Sequence, residues 1–178
     1  MKSQTIRLIS VIGPNRESCT PDIYQLGMQL GEALADAGYV IVCGGLGGLM
    51  EAVCKGARQS AHYRVGCTIG IIPTLHCSDA NPYCDIVIPT GLGIARNLLV
   101  VNTGHVVVAV GGGAGTLSEI AFAWQLGKPI VCYTGMGGWS EHLAGQVLDS
   151  RMRSVIRKAS TLQELMEEIT RAYNSPGG

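Results

Sequence analysis

The chain has 178 residues, of which 47% are hydrophobic and 15% charged, and its 13 basic side chains balance 13 acidic ones. A chain of that length is read as one domain, residues 1–178, able to bury roughly 70% of the surface its unfolded form exposes. The composition offers no basic stripe for nucleic acid, no apolar run of membrane-spanning length and no disorder-prone stretch apart from a flexible tail over 174–178. The first residues lack the apolar core of a signal peptide, so a cytoplasmic location is expected. Seven cysteines, an odd number with no C-x-x-C pair, fit a reducing compartment. Cys43, Cys67 and Cys132 fall in strand patterns and are read as small hydrophobes, and no structural metal is expected.

In chain order, Thr5 to Ile12 is the first strand, ended by Gly13-Pro14-Asn15. Thr20-Pro21-Asp22 then gives an N-cap, a proline at the first helical position and an acid in the first turn. Apolar residues from Ile23 to Ala37 carry that helix to Gly38. Tyr39 to Cys43 is strand two. Gly44-Gly45-Leu46-Gly47-Gly48 links it to a helix running to about Gln59. Val65 to Ile72 is strand three. An irregular stretch from Pro73 to Cys84 is long for a connection and reads as a lid or a subunit contact. Asp85 to Ile88 is strand four. Thr90-Gly91-Leu92-Gly93 opens a helix holding Arg96 and Asn97.

His105 to Val110 is strand five, a short β-branched run of the kind buried in a parallel sheet. Gly111-Gly112-Gly113-Ala114-Gly115-Thr116 follows it and opens a helix to Leu126. Pro129 to Tyr133 is strand six, and a flexible loop covers 134–139. A short helix is expected from Glu141 to Leu148, and a last strand from Ser154 to Lys158. Ser160 and Gln163 read as a capping box for a final helix. Strands alternating with helices predict an α/β fold: a Rossmann-like, doubly wound, mostly parallel sheet with helices on both faces. Ligands bind such sheets beyond the carboxyl ends of the strands, where chain direction reverses.

The glycines at 111, 112, 113 and 115 let backbone N–H groups approach an anion, and the helix start adds partial positive charge. This stretch is read as a phosphate cradle. Thr116 either bonds a phosphate oxygen or caps the helix. Glu119 is placed in the first turn, where the helix dipole favours its ionised form, suited to a base, an electrostatic stabiliser or a sugar-hydroxyl acceptor; the alternative is an acid that only stabilises the helix. Arg96 early in its helix opposes the dipole, which calls for a partner: a phosphate, Glu119, or a subunit salt bridge. Asn97 either contacts ligand or holds the loop. The cluster at Gly44, Gly45, Gly47 and Gly48 follows the second strand, and Met50 breaks the dinucleotide fingerprint; only Gly13 ends strand one. NAD is therefore not expected. His76, Cys77, Asp79 and Cys84 lack zinc-site spacing.

Residues Ile9 to Tyr133 resemble the SLOG superfamily of Rossmann-like nucleotide-binding proteins, which includes LONELY GUY phosphoribohydrolases and molybdenum cofactor carrier proteins. Gly112-Gly113-Ala114-Gly115-Thr116-Leu117-Ser118-Glu119 is similar to the family's PGG-x-GT-x-x-E, with Gly111 in place of proline. Arg96 and Glu119 fall on the pair held to cleave the N-glycosidic bond in the hydrolases. Those enzymes carry M-H-x-R-K around the arginine, whereas this chain has Gly93-Ile94-Ala95-Arg96-Asn97. The stretches 44–51, 81–97 and 111–121 are similar to the carrier branch, although Leu46 stands where that branch commonly has arginine.

The resemblance implies a carrier that stores, protects and transfers the molybdenum cofactor (molybdopterin) or a related phosphorylated ligand. Residues 111–116 would hold phosphate, Arg96 would neutralise charge, and the 134–139 loop would close over the ligand. The alternative is a phosphoribohydrolase acting on nucleoside 5'-monophosphates, with Arg96 and Glu119 catalytic. A homo-oligomer, dimer or tetramer, and molybdoenzyme acceptors are the expected partners.

Overall fold

The computed structural model describes residues 6–150 and 155–175. Thr5, Ser154 and the tail residues 176–178 lie outside them. Seven strands form one sheet: β1 (Leu8–Ile12), β2 (Val40–Cys43), β3 (Thr68–Ile72), β4 (Ile86–Pro89), β5 (Val106–Val110), β6 (Ile130–Tyr133) and β7 (Arg157–Ala159). Their order is β4-β3-β2-β1-β5-β6-β7, and every pairing is parallel. β1 is central: Ile9 pairs with Ile41 on one side and with Val106 on the other. The chain builds outward from β1 to β4, then crosses back to β5. The reversal therefore falls between β1 and β5, where crevices form in such sheets.

Among the described residues, six α-helices flank the strands: α1 (Pro21–Asp36), α2 (Leu49–Ala57), α3 (Asn97–Thr103), α4 (Ala114–Gln125), α5 (Gly138–Leu143) and α6 (Leu162–Asn174). Alternate residues of β5 face opposite layers, as a period of two requires. Val106, Val108 and Val110 pack with Leu30, Leu34, Val53, Leu165 and Ile169, from α1, α2 and α6. Val107 and Ala109 pack with Val100, Val101, Ile120 and Trp124, from α3 and α4. Burial on both faces explains why β5 reads as an unbroken apolar run.

Several boundaries differ from the sequence reading. β3 begins at Thr68, not Val65, and Val65 is exposed. α5 spans Gly138–Leu143, three residues earlier than expected at its start and five at its end. Two hydroxyl residues stand side by side before α6. The cap is Thr161, whose Oγ1 accepts from Glu164 N, while the Glu164 carboxylate accepts from Ser160 N. The box is thus one residue later than Ser160 and Gln163 suggested. Arg96 closes a 3-10 turn (Gly93–Arg96) and caps α3 rather than lying within it.

Candidate functional site

β1 and β5 end side by side, and their loops open a cleft of about 360 Å³ between them. Gly13, Pro14, Asn15 and Ser18 line it from the first loop, and Gly113, Ala114, Gly115, Thr116 and Glu119 from the second. Gly44, Leu46 and Met50 form a further wall, and Ile94, Arg96 and Asn97 complete it. This volume lies within the roughly 300–1,000 Å³ of small-molecule sites.

The glycines divide by what surrounds them. A side chain at Gly113 or Gly115 would meet none of the described residues within 4 Å. Their backbone faces open space at the start of α4, where N–H groups without helical partners favour an anion. Gly112, at φ +88°, does different work: a Cβ there would collide with the Thr116 side chain. Gly111 and Gly112 accept backbone hydrogen bonds from Ser140 N (3.1 Å) and Trp139 N (3.0 Å), the first turn of α5. The 134–139 loop therefore braces the cradle from behind, and none of its residues lines the cleft.

Of the glycines in the other cluster only Gly44 lines the cleft, and the Arg96 guanidinium lies against it; a Cβ there would be 2.5 Å from Arg96 Nη2. Gly45 is pressed against Ile72 and Gly70, Gly47 against Arg16, and Gly48 against the Asn15 backbone. The irregular stretch before β4 secures this loop. Asn81 donates through its backbone N–H to Gly45 O (2.8 Å) and through Nδ2 to Gly45 O (3.2 Å) and Leu46 O (3.0 Å). Gly13, whose Cβ would clash with Leu49 and Val110 O, permits close packing beneath the cleft floor.

Arg96 and Glu119 face each other, Nη1 to Oε1 3.6 Å apart, and both are almost wholly buried. Arg96 Nη1 also makes a short hydrogen bond to Asn97 Oδ1. Asn97 Nδ2 donates to Ser118 Oγ (3.2 Å), and Ser118 Oγ donates to Gly115 O (2.7 Å). This relay ties the arginine to the cradle. It also employs the Asn97 side chain in holding that geometry. Arg96 Nε is buried with no hydrogen-bond partner among the described residues, a donor that a ligand could satisfy.

Glu119 is the sixth residue of α4, in its second turn, so the expected help from the helix dipole is lost. Burial pushes its carboxyl up to about 7, against the pull of Arg96. Burial also lowers the Arg96 guanidinium, while Glu119 holds it up; an arginine stays charged across this range. The site thus presents one permanent cation, one acid poised near neutrality and an open array of backbone donors.

Asn15, Ser18, Leu46, Met50 and Ile94 were absent from the residues picked out by sequence. Asn15 and Ser18, joined by a 2.9 Å hydrogen bond, follow the central strand directly. Their place beyond the carboxyl end of β1 was the available signal.

Residues 6–166 match the model of the SLOG cluster4 family. An uncharacterised protein of Archaeoglobus fulgidus is 40% identical over 124 residues, 68% of this chain and 76% of that one. The molybdenum cofactor binding protein of the phototrophic bacterium Rippkaea orientalis superposes with a TM-score of 0.81 at 33% identity, covering 95% of this chain and 98% of that one. The molybdenum cofactor carrier protein of Chlamydomonas reinhardtii superposes with a TM-score of 0.80 at 28% identity, covering 95% and 99%. With the parallel seven-stranded fold and a family match spanning nearly all of its length, the chain belongs to the SLOG cluster4 family.

Proposed function

We propose that this protein is a carrier of the molybdenum cofactor, binding the pterin through its terminal phosphate and releasing it to acceptor enzymes. The observation that carries this reading is the open backbone at Gly113 and Gly115, facing a buried arginine whose Nε has no partner. A phosphate at the start of α4 would accept from the backbone N–H groups, and Arg96 would add charge-assisted hydrogen bonds. Asn97 and Ser118 would fix the guanidinium, and the apolar side chains of Leu46, Met50 and Ile94 offer surface for a flat ring system. The likeness to proteins described as cofactor binding and carrier proteins supports the same ligand. Release from a molybdoenzyme under anaerobic conditions supplies the cofactor for a test. Gel filtration with the pure protein should retain molybdenum and pterin together, and the Gly113→Ala protein should retain neither. Elution of both apart from the unaltered protein, in the small-molecule volume, would refute the reading.

The Arg96–Glu119 pair favours a second reading, a nucleoside 5'-monophosphate phosphoribohydrolase. A carboxyl near 7 can exchange a proton at neutral pH, and its ionised form could stabilise a cationic ribose. Chromatography of a nucleotide panel after incubation decides it. Free base lost on Glu119→Gln would establish the enzyme, and no free base from any nucleotide would remove it.

A further inference from the structure

Cys43, Cys54 and Cys84 are far apart in sequence but meet beneath the Gly44 wall of the cleft. Cys43 ends β2, Cys54 lies on α2, and Cys84 precedes β4. Their three sulfurs all lie within 4.8 Å of one another, with Cys43–Cys54 at 3.7 Å and Cys54–Cys84 at 3.8 Å. We propose that these three thiols form a binding site for a single soft monovalent cation, Cu⁺, coordinated in a trigonal plane.

The spacing carries the argument. Metal–sulfur bonds of about 2.3 Å place three coplanar sulfurs about 4.0 Å apart. Two of the separations are within a few tenths of an ångström of that already. A disulfide would pull two sulfurs to about 2 Å, strand the third and require an oxidant. Donor chemistry selects the ion, since thiolates favour soft metals such as Cu⁺. Among the described residues no histidine or carboxylate joins the three sulfurs as a fourth ligand. Asp85, next along the chain, is engaged elsewhere: its carboxylate accepts from Tyr63 Oη (2.6 Å), Gly66 N (3.1 Å) and Thr68 N (3.2 Å). That leaves a tetrahedral Zn²⁺ short of a protein ligand.

The surroundings suit such a site. Gly45 N donates to Cys43 Sγ at 3.4 Å, a supporting hydrogen bond to a ligand sulfur. Gly70 makes room, since a Cβ there would lie 2.6 Å from Cys84 Sγ. Cys43 and Cys54 are fully buried, and half-buried Cys84 gives the ion its way in. On binding, each thiol gives its proton to solvent and its sulfur lone pair to Cu⁺, with no change in oxidation state. The complete site carries two negative charges, offset in part by the Arg96 guanidinium across Gly44. The ion would tie β2, α2 and the segment before β4 together, and so stiffen one wall of the cleft.

The test is an anaerobic titration of the reduced protein with Cu⁺ against a chromophoric Cu⁺ chelator. One equivalent should bind, X-ray absorption should show three sulfurs at about 2.3 Å, and the melting temperature should rise with the metal. Cys54→Ser and Cys84→Ala should each weaken binding by more than the roughly 100-fold typical of outer-shell changes. Circular dichroism checks that each variant is folded, and Cys84→Ala, at a half-buried position, keeps the test open if Cys54→Ser does not fold. The Cys19→Ser/Cys77→Ser double variant should bind as the unaltered protein does. Binding unaffected by Cys84→Ala, binding lost in the double variant, or retention of Zn²⁺ in preference to Cu⁺ would each overturn the assignment.

Discussion

Replacing Glu119 by glutamine should make the protein more stable, by an amount that grows from about pH 4.5 and levels off above about pH 7. The carboxyl sits at about 7 in the folded chain, raised by burial from an ordinary 4.5. Below 4.5 it is protonated in both folded and unfolded chains, and stability is full. As pH rises, the unfolded chain sheds its proton first, so stability falls and is lost as pH passes through about 7. At about 1.4 kcal/mol per pH unit, the loss reaches about 3 kcal/mol. Glutamine keeps the shape of the protonated acid and does not titrate. Urea unfolding of both proteins between about pH 4 and pH 8 should therefore give a gap that is near zero in acid and grows to about 3 kcal/mol. Other titrating groups cancel in the difference. A gap that stays constant across this range would refute the burial argument and the poised acid with it.

Gly112→Ala and Gly113→Ala should separate fold from function. The first forces a side chain into Thr116 at φ +88°, and should cost about 2–4 kcal/mol in urea unfolding. The second meets open space and an ordinary φ of −102°, so unfolding should change by less than about 1 kcal/mol, while affinity for the phosphorylated ligand should fall at least tenfold in equilibrium binding. Arg96→Met should leave ionised Glu119 buried and unpaired. It should cost about 3 kcal/mol above pH 8 and much less near pH 5, where the acid is neutral, as read by denaturation at the two pH values. Asn81→Ala removes side-chain hydrogen bonds to Gly45 and Leu46. It should cost about 1–3 kcal/mol and raise hydrogen exchange in the 44–48 loop.

The inner strands were legible because they are buried on both faces. The β-branched runs of β2, β5 and β6 stand between glycine or proline breaks, and no amphipathic ambiguity arises. The loop at the start of α4 was legible as a glycine cluster, since four glycines follow the β5 run within five residues. Finer placement depended on things a linear pattern does not carry. Glu119 was assigned to the first turn, although α4 starts at Ala114 from a glycine cap with no side-chain hydrogen bond to mark it. Gly45, Gly47 and Gly48 looked like ligand contacts, but their room is taken by Ile72, Arg16 and Asn15. The three-cysteine cluster joins positions 43, 54 and 84, whose proximity exists only once β2, α2 and the segment before β4 are stacked. Free cysteines in apolar strands gave no local sign of it.

Native mass spectrometry of the protein, purified without oxygen from a molybdenum-replete host, tests the carrier reading most directly. A carrier should show an adduct with the mass of the molybdenum cofactor, one per chain, that is missing from the Gly113→Ala protein. A nucleoside monophosphate in its place, or a ligand-free chain that takes up no cofactor when it is added, would contradict the account.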